Sequence, residues 1–69
     1  MDVDEVKYPD ITVSFNGVNG NALNLIGIVR QALVRNHIDK AEITKFVDDA
    51  ISGDYNHVLV TCMSTVNVE

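Results

Sequence analysis

Apolar and polar residues alternate strictly from Asp10 to Asn16, with Ile11, Val13 and Phe15 on one side and Thr12 and Ser14 on the other. A period of two carried by β-branched residues predicts a half-buried strand. Gly17-Val18-Asn19-Gly20 breaks the alternation and predicts a turn. From Asn21 to about Asn36 the period becomes helical. Ala22, Leu25, Ile26, Val29, Ala32 and Leu33 fall on one stripe, and Asn21 is placed to cap it. Leu23, Ile28 and Val34 widen the apolar surface beyond what one sheet face needs.

A second helix is marked by Asp39 as N-cap and Glu42 three residues on, an acidic form of the capping box, with Ile38 and Ile43 placed as a hydrophobic staple. Its stripe is Ile43, Phe46, Val47, Ala50 and Ile51, and Gly53 is expected to end it. Val58-Leu59-Val60-Thr61 has the composition of a strand, yet Tyr55, Leu59, Cys62, Met63 and Val66 recur at helical spacing. The favoured reading is a short helix from about Tyr55 to Met63, capped by Asp54. The alternation Thr65-Val66-Asn67-Val68-Glu69 then predicts a closing strand. The order strand, helix, helix, short helix, strand makes a small single α+β domain over residues 10–69. Its two strands pair and its helices cover one face. Residues 1–9 read as a loose acidic lead-in. The expected core is Ile11, Val13, Phe15, Leu25, Ile26, Val29, Leu33, Phe46, Val47, Ile51, Leu59 and Val66.

The segment Tyr8-Pro9-Asp10-Ile11 through Gly17-Val18-Asn19-Gly20-Asn21-Ala22, with Ser52-Gly53-Asp54-Tyr55, Cys62-Met63 and Val66-Asn67-Val68, resembles a group of short uncharacterised proteins of bacteriophages, plasmids and other bacterial mobile elements. The resemblance spans about residues 8–68. It implies a mobile-element setting, and with no activity assigned to the group no catalytic residue is carried over. Val60 and Thr65 depart from the group, which has a basic residue at the first position and an aromatic near the second. That puts in doubt any shared surface there.

Charge and composition narrow the function classes. The net charge is −5, and the five basic residues, Lys7, Arg30, Arg35, Lys40 and Lys45, form no run. Direct nucleic-acid binding is therefore not expected, because affinity for phosphate backbones comes from clustered cations. No apolar run approaches the ~18 residues of a membrane span. The acidic N-terminus is no secretory signal and Cys62 is the only thiol, so a cytoplasmic location is expected. Sixty-nine residues bury only about 60% of the surface the unfolded chain exposes. With no disulfide or zinc set to help, self-association is the plausible supplement.

No catalytic set stands out, and no metal or cofactor is expected. Asp48 and Asp49 diverge by about 100° on a helix, and with Asp54 they read as a solvated face. His57 and Cys62 are five apart and do not share a helix face. His37 sits where a cation would favour the end of the first helix. The turn holding Gly17, Asn19, Gly20 and Asn21 is the candidate ligand site, since it leads into a helix N-terminus that could hold an anion such as a nucleotide. The preferred account is that these residues only supply turn angles and a cap. Leu23, Ile28, Arg30 and Val34 are the candidate protein interface. Arg30 fits equally an interface or a stem lying over apolar surface with its head in water. The expected function is a non-catalytic accessory protein acting by protein binding or self-association, by analogy a phage-type modulator of host defence. The alternative is a small anionic-ligand binder.

Overall fold

The computed structural model describes residues 6–17 and 20–69. Strand β1 (Tyr8–Val13) leads into three helices, α1 (Ala22–Arg35), α2 (Lys40–Ala50) and α3 (Tyr55–Thr65), and strand β2 (Val66–Val68) closes the chain. This is the expected α+β order, and the helical reading of the last segment is the correct one. The strands pair in parallel, an orientation the pattern left open. Parallel neighbours need a crossover connection, and here the crossover is the whole helical layer. Ile11, Val13 and Val66 are buried beneath the helices, whereas Asp10, Thr12 and Asn67 are exposed. Among the described residues no helix is long and apolar enough to cross a membrane.

The sheet departs from the expected limits. β1 starts at Tyr8, inside the supposed lead-in, and ends at Val13, so Phe15 packs on the core from beyond the strand. The register runs Tyr8 to Val66, then Thr12 to Asn67 and Val13 to Val68, so β1 uses four steps where β2 uses one. Such a bulge leaves backbone groups outside the ladder. The Asn67 side-chain amide donates to the Pro9 carbonyl there, and Pro9 has no N–H to leave unpaired. The Lys7 amide, donating to Ser64, and the Glu69 amide, donating to Val13, extend the pairing at both ends.

Each helix end has a distinct solution. Asn21 caps α1 as expected, its Oδ1 accepting from the Leu23 amide at 2.8 Å. At the other end the His37 amide donates to Val34 and the Ile38 amide to Leu33. This is the Schellman pattern, with His37 in the left-handed region at φ 61°. His37 thus ends α1 through its backbone angle, which few residue types besides glycine adopt as readily. The expected capping box of α2 is not formed. Asp39 makes no side-chain cap bond, and the Glu42 carboxylate turns away to Lys7 and Lys45. Asp54 does cap α3, accepting from the His57 amide at 3.0 Å.

Four core assignments change: Phe15, Val47 and Leu59 are half-buried at the edge of the core, and Ile51 lies outside it. Ile51 is 57% exposed. At 100° per residue it is rotated about 100° away from the middle of the Ile43, Phe46 and Ala50 face. Helix α3 buries Val58, Thr61, Cys62 and Thr65, while Tyr55 and Met63 of the expected stripe are exposed and Leu59 is half-buried. The helix is turned by about 90° from the most apolar orientation. The chain passes from α3 into β2 without a loop, so the fully buried Val66 dictates the rotation. The Thr65 hydroxyl is satisfied by donating to the Thr61 carbonyl one turn back. The densest core, where exposure falls to about zero, joins Val29 and Leu33 of α1, Ala50 of α2, Cys62 of α3 and Val66.

Candidate protein-binding groove

The α1–α2 hairpin carries an open surface groove. On α1, Leu23, Gly27, Arg30 and Val34 follow one another at helical spacing, and all four are exposed. On α2, Lys40, Thr44, Val47 and Ile51 form a matching row. Between the rows lies an open groove of about 450 Å³. Ile38, Ile43, Val34 and Val47 supply its apolar floor, and Arg30, Lys40 and Asp48 rim it. Ile38 and Ile43, the expected staple, thus also build the groove. Val34, in its lining, is 50% exposed, and Leu23, three turns earlier on the same side of α1, is 71% exposed. Among the described residues, Arg30, Lys40 and Asp48 take part in no ion pair.

The four candidate interface residues do not form one surface. Leu23, Arg30 and Val34 share the groove side of α1. Ile28 lies on the other flank, half-buried beside Thr12, Val13 and Ser14 of the β1 end. The 3.6 period separates it from the row by well over 100°. The sequence reading missed the α2 half of the groove because Val47 and Ile51 were assigned to the core. Their places at the edge of the Ile43-Phe46-Ala50 stripe were the available signal.

The turn before α1 is arranged around its own cap. Gly17 is left-handed at φ +73°, as a turn glycine there should be. Asn19 lies outside the described residues. The Leu23 amide is taken by the Asn21 side chain, and the Asn24 and Leu25 amides both donate to the Asn21 carbonyl. Asn21 thus takes up the Leu23 and Asn24 amides of the first turn, two of the groups an anion at the helix start would use. A side chain at Gly20 would come within 3.5 Å of the Tyr55 hydroxyl, so the turn abuts the start of α3.

The remaining polar residues are dispersed. Asp48 rims the groove, Asp49 meets His57, and Asp54 caps α3. His57 Nε2 lies 2.8 Å from the Asp49 carbonyl and 3.3 Å from Ser52 Oγ, closing the end of α2. One ring nitrogen makes all these contacts, whereas a base that activates a hydroxyl needs its second nitrogen held by a third group. Cys62 is fully buried, and burial pushes its thiol up to about 11. Among the described residues no three His, Cys, Asp or Glu side chains are grouped to hold a metal.

No protein family, curated protein or solved structure matches the chain.

Proposed function

We propose that this chain is a non-catalytic accessory protein that acts by binding another protein through the α1–α2 groove. The observation that carries the reading is an apolar floor of Ile38, Ile43, Val34 and Val47 between α1 and α2, rimmed by exposed Arg30, Lys40 and Asp48, which have no ion-pair partner among the described residues. Apolar side chains bordered by charged and polar ones are the usual anatomy of a protein contact. Two parallel helical rows fit a helix laid into a groove. Modulation of a host process, such as a defence system, is the role the mobile-element resemblance suggests by analogy. Anionic-ligand binding at the Gly17–Asn21 turn has less support, because Asn21 takes up the Leu23 and Asn24 amides of the first turn.

Comparative capture from bacterial lysate tests the reading. Proteins retained by the parent chain should be lost with Val34→Asp and Thr44→Asp, both at exposed positions lining the groove, while circular dichroism shows the variants still folded. Equal retention by parent and variants would refute the groove as the binding surface. Nucleotide titration with amide shifts should leave Gly20, Asn21 and Ala22 unmoved.

A further inference from the structure

We infer that the occupant of the α1–α2 groove is a second copy of this chain, packed antiparallel about a two-fold axis that passes near Thr44. The inference rests on the groove being the binding surface and adds the partner's identity.

The arrangement of charge along α2 points to it. Lys40 and Asp48 both line the groove and stand four residues to either side of Thr44. A rise of 1.5 Å per residue puts each about 6 Å from Thr44 along the helix axis, in opposite directions. Reversing a second α2 about Thr44 brings its Asp48 level with Lys40, and its Lys40 level with Asp48. Both pairs form at once, because a two-fold interface is self-complementary by construction. A parallel copy would instead set lysine beside lysine and aspartate beside aspartate, which is unfavourable. None of these groups has an ion-pair partner among the described residues of its own chain. Thr44, small and exposed at the centre, lets the two helices approach.

The apolar geometry agrees. Two hairpins laid face to face bring four helices together, with the apolar floors of the two copies, Val34 and Val47 among them, meeting at the centre. Arg30 stands across the groove as a second cation facing the incoming Asp48. The pairing would supply the extra burial that a domain of this size otherwise lacks.

Sedimentation of the full chain across a concentration series tests the inference, with charge reversal as the probe. The parent should form a dimer. Lys40→Asp and Asp48→Lys should each weaken it about tenfold or more, since each single change places two like-charged pairs in the interface. The double variant K40D/D48K should regain most of the loss of either single change yet stay weaker than the parent, because Arg30 then faces a lysine. Mixing the two single variants should give a heterodimer tighter than either homodimer, because both 40–48 pairs are then of opposite sign. Lys40 and Asp48 are exposed, and melting curves check that each variant is folded. A parent that stays monomeric at about millimolar concentration, or a dimer indifferent to both reversals, would overturn the inference. In that event the lysate comparison still decides separately whether the groove binds a different protein.

Discussion

Replacing Gly53 with alanine should destabilise the fold, for a reason unrelated to helix termination. Helix α2 ends at Ala50 with Ile51 as its C-cap, and the only left-handed glycine among the described residues is Gly17. A Cβ added at Gly53 would instead lie 2.8 Å from His57 Cβ and 2.9 Å from its Cγ. Both contacts are well inside van der Waals range, and His57 Cβ is fixed by the first turn of α3. Overpacking of this kind costs about 1–3 kcal/mol. Restricting the unfolded chain by the Gly→Ala change returns about 0.4–1 kcal/mol. The expected net loss is about 1–2 kcal/mol, or roughly 5–15 °C in melting temperature for a domain of this size. Displacing His57 would also loosen the 2.8 Å contact of its Nε2 with the Asp49 carbonyl, so the imidazole resonances should shift. Thermal unfolding by circular dichroism measures the first effect. Gly53→Asn discriminates between explanations. Asparagine tolerates left-handed backbone better than alanine, so a termination role would make it the milder change. Close approach makes it at least as damaging. If Gly53→Ala melts with the parent, or if Gly53→Asn is clearly more stable than Gly53→Ala, the contact argument is refuted.

Three further outcomes follow from the packing. Leu33→Ala and Phe46→Ala, at positions 1% and 6% exposed, should each cost about 2–5 kcal/mol in urea denaturation; that is a large part of the ~3–10 kcal/mol expected for a chain of this length, and a parent-like midpoint would refute the helix faces. The Cys62 thiol, buried and raised to about 11, should resist alkylation in neutral buffer and react fully once urea unfolds the chain; rapid labelling of the native protein would show that α3 is turned otherwise. Lys7, by hydrogen bonding, holds Glu42 below the ordinary carboxylate value and is itself raised above the ordinary lysine value. The pair's contribution is therefore complete in neutral solution. It is lost on the acid side as pH falls through Glu42's lowered value and on the alkaline side as pH rises through Lys7's raised one. The urea midpoints of parent and Glu42→Gln should differ modestly at neutral pH and converge in acid, and a gap that persists in acid would exclude the ion pair as its source.

The order of elements, the α1 cap at Asn21 and most of the core from Ile11 to Phe46 were legible in the chain before any folding was considered. These follow from local rules, in which period selects helix or strand and short polar side chains reach nearby amides. The parallel pairing was not legible, since two strands at the ends of a chain carry no record of their relative direction. Nor was the rotation of α3. Composition favours burying Tyr55 and Met63, but the direct passage into β2 places Val66 in the core and turns the two threonines inward. Glu42 is drawn from its cap to Lys7, a residue 35 positions away that no local pattern connects to it. Gly53 is glycine because of the approach of His57, and His37 takes the left-handed angle that ends α1. The groove shows the same division. Its α1 half, Leu23, Arg30 and Val34, was legible as apolar surface in excess of one sheet face. Its α2 half required the hairpin to close, because whether Val47 and Ile51 lie at the edge of a core stripe or beyond it depends on the angle at which two helices pack.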